Sequence, residues 1–417
     1  MSHEVQNSAS PGTAGRIDPR IVLLALGMFA LGTDAFVVAG VLPTIAREMQ
    51  VSEGLAGQLV TVFSLTYGLG APVLAALTGR WPRNRVLLVS LGAFCLVNVG
   101  SAISPTFALL LLTRLLAGCC AATFAPLAYT VGTALAPAEK RGQALALVVL
   151  GLTVATVFGS PLGTWVGTHL GWRFSFGMVA ALAGVAFLAL LVCGLPKPTA
   201  GSPVLSLKAR LAPVAEPRLL LALTPALLWN LGIYTIYTYL APLLRANLAL
   251  TDVSGMLLCF GLGVVAGNWS GGMLADRFGA IRPLVSGLVV LVAVYVSLSL
   301  TFASMGGAVI ALLIWGVAGS IIFIPQQHRL LSIAPEHANV VLALNNSTMY
   351  LGIAGGAALG GVIIQCAPIN ALGWLGAGCV ILALLTLLLS NLMGSASGQR
   401  TVSAPKESEP EQTELAR

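Results

Sequence analysis

The chain predicts an all-α membrane protein of twelve transmembrane helices in two pseudo-symmetric six-helix bundles, and three observations predict it. Hydrophobic residues make up 57% of its 417 residues and charged residues only 8%, against about 25% charged in ordinary soluble domains. The apolar residues fall in runs of about twenty, the length a helix needs to cross the hydrocarbon core. The second half of the chain also echoes the first at a nearly constant offset.

Taken in order, residues 1–20 are polar, with Pro, Gly and Ser, and read as a cytoplasmic lead-in. The apolar run that follows exceeds the core of about 7–15 residues typical of a signal peptide, so it is read as a retained first span, 21–43. Spans two (56–78) and three (86–104) flank a loop with Arg80, Arg83 and Arg85. Spans four (106–134) and five (143–168) flank Ala136-Pro137 and Lys140-Arg141, and span six (174–195) closes an N-terminal bundle over 21–195. Pro196, Lys197 and Pro198 open a cytoplasmic linker, 196–217, which Ser206, Lys208 and Arg210 continue. Spans seven to twelve (218–243, 254–275, 283–302, 304–325, 340–366 and 371–393) form a C-terminal bundle over 218–393, and a polar tail, 394–417, is read as disordered.

Charge fixes the expected orientation. Under this alternation Arg47, Arg173 and Arg245 fall on one side, Arg114 lies inside a span, and every other Lys and Arg, Arg329 among them, falls in loops or tails on the opposite side. The positive-inside rule then puts both termini in the cytoplasm and explains the net charge of +7 without nucleic acid. The seven cysteines sit in apolar stretches with no metal-ligand spacing and read as small buried hydrophobes.

The repeat is carried by shared spacing rather than by any one match. Arg20 and Arg47 bracket span one as Arg218 and Arg245 bracket span seven. Ala136-Pro137 recurs as Ala334-Pro335, Arg80-x-x-x-x-Arg85 as Arg277-x-x-x-x-Arg282, and Gly159-x-x-Leu162-Gly163 as Gly356-x-x-Leu359-Gly360. Two halves of like topology are the plan of transporters whose central site lies between rocking bundles.

Asp34 is the one acid left inside the spans. A carboxylate there costs about 2.5–3.5 kcal/mol on insertion scales, and such groups mark ion or proton pathways. Asp34 precedes Pro43 by nine residues and Arg114 follows Pro105 by nine, which places both about 13–14 Å from the same boundary. A guanidinium favours the ionised carboxylate and desolvation the protonated one, so the two are candidates for proton coupling, with a permanently ionised structural pair as the alternative. Asn230, Tyr234 and Tyr237 share one helical face of span seven and suit an apolar ligand with a few polar groups. Tyr239 fits an interfacial aromatic belt. Asn345 and Asn346 in span eleven face the cavity or bond to neighbouring helices. Gln326, Gln327 and His328 lie toward the loop end of span ten.

Over about residues 20–393 the chain resembles the major facilitator superfamily, and within it the twelve-span drug:proton antiporters. Gly272-x-x-x-Asp276-Arg277-x-Gly279 resembles the signature loop of that superfamily. The first-half counterpart, Gly79-Arg80-Trp81-Pro82-Arg83-Asn84-Arg85, departs from it by placing Gly79 where the Asp belongs. Leu110-x-x-x-Arg114-x-x-x-Gly118 resembles the fourth-span motif linked to proton transfer, and Gly159-Ser160-Pro161-Leu162-Gly163 is similar to a shortened antiporter motif. Gly32-Thr33-Asp34 with Ala39-Gly40-Val41-Leu42-Pro43 looks like the first span of the chloramphenicol-resistance and arabinose-efflux branch.

The resemblance implies that spans one and four line a central cavity. It also implies gating roles for Arg80, Asp276, Arg277, Gly159, Pro161 and Gly163. The expectation is a monomeric inner-membrane transporter that exports a small amphipathic compound against protons, with no cofactor and no metal. The alternative is a sugar or nucleoside facilitator or symporter. A membrane enzyme is disfavoured because the spans hold no paired carboxylates and no His/Glu or Cys/His cluster. ATP drive is disfavoured by the lack of a phosphate-cradling glycine loop.

Overall fold

Asp18 starts the first helix by accepting a hydrogen bond from the Arg20 backbone N–H at 2.9 Å. Pro19 takes the first helical position, where its missing N–H costs nothing. The computed structural model describes residues 18–195 and 216–402. The lead-in, most of the linker and the end of the tail lie outside the described residues. Ser52, Thr106 and Ser304 cap the helices that follow them, each accepting from the backbone N–H three residues on.

Among the described residues, eleven helices are long and apolar enough to cross a membrane. They are spans one (Pro19–Glu48), two (Glu53–Leu77), three (Arg83–Ala102), four (Phe107–Ala134), five (Ala138–His169), six (Trp172–Cys193), seven (Pro217–Tyr237), eight (Ser254–Phe278), ten (Met305–Ile333), eleven (Val340–Cys366) and twelve (Ala371–Met393). Span nine is shorter, Ile281–Val296, and continues after a break at Ser297 as Leu298–Thr301. Together these two pieces reach about 30 Å, the thickness of the hydrocarbon core. Span seven likewise continues past Tyr239 as Leu240–Leu248. The last helix runs to Val402, beyond its expected end at 393.

The sequence repeat reappears as packing. Span one packs on five and six, two on four, and three on four and six. The same pattern returns as seven on eleven and twelve, eight on ten, and nine on ten and twelve. Pro217 opens span seven as Pro19 opens span one, and single 3₁₀ turns stand at Ala138–Lys140 and Pro335–His337. Each half has its own large apolar core. The two interlock: Ala39, Leu42, Ala46 and Ala56 belong to the second core, and Tyr350, Ile353 and Ala357 to the first. Between the halves, span two packs on eleven and span five on eight. Bare apolar side chains such as Leu96, Val192 and Leu300 face outward, as a lipid-facing surface requires.

Candidate functional site

Span four brings Arg114 directly onto Asp34 of span one. The terminal nitrogens meet the two carboxylate oxygens at 2.7 and 2.8 Å, a two-pronged pairing. Asp34 is 0% exposed and Arg114 1%, so neither charge is open to bulk water. The Arg114 guanidinium lies 4.7 Å from the Phe63 ring and 5.4 Å from the Phe176 ring. Its Nε is buried without a hydrogen-bond partner among the described residues. The equal depths read from the sequence thus become a direct contact.

Span five packs against this stretch of span one. A Cβ on Gly159 would overlap the Thr33 hydroxyl, and one on Gly163 would come within 2.6 Å of Val37. Pro161 has no N–H to give Val157 and its ring crowds that carbonyl. Just before it, Ala155–Gly159 forms a π-turn closed by the Ser160 N–H on the Ala155 carbonyl. The same turn touches the other half, for a Cβ on Gly261 of span eight would sit 2.7 Å from Val157 Cα.

A tyrosine cluster lies at mid-depth between the halves. Tyr67 of span two stacks on Tyr350 of span eleven, with ring centroids 3.7 Å apart and planes at 16°, and the Tyr67 hydroxyl interacts with Asn346. Tyr129 and Tyr234 pack against the core cluster that holds Tyr67 and Tyr350. Tyr234 meets Tyr237 edge-on at 5.6 Å, and Tyr237 leads on to Phe36, Phe260 and Trp315.

Of the expected substrate face, Tyr234, Tyr237 and Asn346 join this cluster. Asn230 instead donates to the Ala226 carbonyl of its own helix and packs against Gly352. Asn345 is buried, with its Oδ1 unpartnered among the described residues. Tyr67 and Tyr129 carry no signal in the sequence, where a single tyrosine in a span has no spacing pattern.

The gating candidates divide by position. Arg80, Asp276 and Arg277 are exposed at the face that carries the basic loops. They take no part in the ion pairs found among the described residues. Gly279 ends span eight with φ 76°, a left-handed turn that suits glycine and leaves Asp276 and Arg277 in the last helical turn.

At the opposite, far face the halves are pressed together. A Cβ on Gly54 would overlap the Gly361 carbonyl, and one on Gly57 the Tyr239 hydroxyl. Tyr239 is therefore not an interfacial belt residue: it is fully buried and donates to the Ala357 carbonyl at 2.7 Å. Beside this seam Glu53 and Arg245 line an opening of about 570 Å³.

Arg329 also departs from expectation. Span ten stays helical to Ile333 instead of ending near 325, which carries Gln326 and Arg329 into the bundle. There Arg329 donates to the Ala222 carbonyl and the Ser390 hydroxyl, and Gln326 to the same carbonyl, joining spans seven, ten and twelve. It is a buried tie and not a loop charge.

Two repeated six-helix halves around a buried ion pair and an aromatic centre are the architecture of a polytopic transporter. The chain belongs to the Major Facilitator Superfamily, whose model matches residues 24–357. It is 34% identical over 354 residues to the inner membrane transport protein YdhP of Escherichia coli K12, covering 84% of this chain and 90% of that one. It is 38% identical over 278 residues to a chloramphenicol resistance protein of Streptomyces lividans, covering 65% and 70%. Its fold matches the crystal structure of a D-xylose-proton symporter with a TM-score of 0.71 at 17% identity, over 89% of this chain and 97% of that one.

Proposed function

We propose that this protein exports a small amphipathic compound in exchange for protons, by alternating access across a bacterial inner membrane, as a monomer with both termini in the cytoplasm. The observation that carries the reading is the Asp34–Arg114 pair, the one fully buried acid among the described residues held by a fully buried base. Protonation of Asp34 removes the countercharge from Arg114. The guanidinium then keeps the Phe63 and Phe176 rings, whose faces attract a cation. Loss of the pair loosens span one from span four. Thr33 and Val37, next to Asp34, bear on Gly159 and Gly163 of span five, which in turn meets span eight of the other half. A proton on Asp34 is in this way linked by contiguous packing to the seam between halves.

Export is supported by the likeness to a protein named for chloramphenicol resistance, and the inner-membrane location by the likeness to an inner membrane transport protein. Arg80, Asp276 and Arg277 are the proposed clamp of the basic face, exposed here because it is the far face that is closed. Asn346, Tyr234 and Tyr237 are the proposed substrate contacts, with Asn230 and Asn345 shaping the helices behind them.

The test uses energised everted vesicles and a pH-sensitive dye, with phenicols, cationic dyes and sugars as candidate substrates. Wild type is expected to release protons on adding a substrate, and Asp34→Asn to release none. Undiminished, pH-dependent transport by Asp34→Asn would reject the coupling role. Proton-linked movement of sugars alone would favour the sugar-carrier alternative.

A further inference from the structure

We propose that the substrate is an uncharged molecule bearing a planar ring, and that the ring seats between Tyr67 and Tyr350, taking the place of their mutual stack. The proposal rests on the transport reading above and names the substrate class of that site.

Five of the seven tyrosines, Tyr67, Tyr129, Tyr234, Tyr237 and Tyr350, converge at the centre. Tyr67 and Tyr350 belong to opposite halves, on spans two and eleven. Their stack must part when the bundles rock, and each ring then loses an apolar face. A planar ring entering the gap restores both contacts at once, at the spacing offset aromatic rings prefer.

The polar groups bordering the stack are hydroxyls and an amide. Tyr129, Tyr234 and Asn346, the last already in contact with the Tyr67 hydroxyl, keep partial exposure among otherwise buried neighbours, so a polar substituent on the ring can reach them. None of them carries a charge. Asp34 and Arg114 neutralise one another, and Arg329 is tied to Ala222 and Ser390. In the state seen here an ionic substrate at the stack would therefore leave water without a countercharge among the groups that border it.

The experiment is isothermal titration calorimetry on the full chain in lipid nanodiscs with four probes: 4-nitrobenzyl alcohol, its trimethylammonium analogue, 4-nitrobenzoate and cyclohexylmethanol. The neutral aromatic alcohol is expected to bind at least about tenfold more tightly than the two charged probes or the saturated alcohol. Tyr67→Leu and Tyr350→Leu are each expected to weaken it about tenfold, and Tyr67→Phe, which keeps the ring, less than about threefold. Failure of the neutral aromatic to bind saturably, equal or tighter binding of a charged probe, or unchanged binding in both leucine variants would overturn the proposal. Binding needs no proton gradient. A negative result here with Asp34-dependent transport intact refutes only the ring site, and ring binding without Asp34-dependent transport refutes only the coupling.

Discussion

At the residue scale the central fact is that Arg114 can satisfy both oxygens of Asp34 without help. That geometry belongs to arginine: the planar fork matches a carboxylate, whereas an ammonium is a single point charge. Arg114→Lys is therefore expected to keep the charge balance but lose one of the two bonds, lowering proton-linked transport by at least about tenfold in the vesicle assay while the protein still folds. Arg114→Leu leaves Asp34 buried and unpaired, a loss of about 3–5 kcal/mol when a buried pair is broken from one side. Asp18 offers a separate check outside the spans. Its hydrogen bond with the Arg20 side chain holds its carboxyl below the usual carboxylate range, against the opposing effect of burial. A depressed native pKa stabilises above the unfolded value, about 3.9, and that stability is lost as pH falls through the native one. Asp18→Ala is thus expected to lower the melting temperature at pH 7, through loss of the cap and the pair together at about 1 kcal/mol, with the difference from wild type shrinking below about pH 4. Scanning calorimetry in detergent at the two pH values measures it.

At the scale of elements, span five is the joint. Its glycines let it lie against span one with almost no intervening side chain, and the π-turn ahead of Pro161 breaks the regular bonding where Gly159 meets Thr33. Gly159→Ala places a methyl against the Thr33 hydroxyl, one residue from Asp34. An overpacked site of this kind costs about 1–3 kcal/mol, and here the strain falls on the coupling helix. The expected outcome is a protein that inserts normally, has a lower melting temperature and moves protons more slowly than wild type. Gly142, with nothing within 4 Å of its Cβ position, is the matched control: Gly142→Ala should leave transport unchanged. Span ten teaches a different lesson. Its polar stretch, Gln326 to Arg329, reads as a loop from hydropathy, yet it is helical because a carbonyl of span seven and a hydroxyl of span twelve receive its side chains. Partners supplied from distant helices leave no mark in local composition.

At the scale of the whole molecule, the two cores are joined through the far-face half of the spans, where Gly54 and Gly57 meet Gly361 and Tyr239. Opening that face requires these contacts to break. Gly57→Val puts a branched side chain into the space of the Tyr239 hydroxyl and is expected to hold the far face open. A cysteine introduced at Gln58 should then react with a membrane-impermeant maleimide at least about fivefold faster in Gly57→Val than in the Gly57 background, and equal rates would refute the seam as a gate.

Much of this architecture is legible in the sequence, because bilayer thickness, loop charge and repeat spacing are each one-dimensional signals. Asp34 and Arg114 are legible for a related reason, since a charge in an apolar run stands out and depth can be counted from Pro43 and Pro105. The Tyr67–Tyr350 stack is not legible. Nothing local says that two tyrosines far apart in the chain will face each other, and that depends on how the halves close. Tyr239 shows the same limit from the other side, since its belt-like position gives no hint that Gly57 and Gly361 make room for its hydroxyl.

The π-turn at Ala155–Gly159 has one more consequence. It accommodates an extra residue within a continuous helix, so the segments on either side keep the phase of a regular helix one residue shorter. Deleting Thr156 alone would let a regular helix form while Gly159 and Gly163 still face Thr33 and Val37. Deleting a residue such as Leu147 from the regular part of the span would instead turn everything after it by about 100°. Aligned relatives that lack one position within the turn could then keep the same joint with their small residues in place.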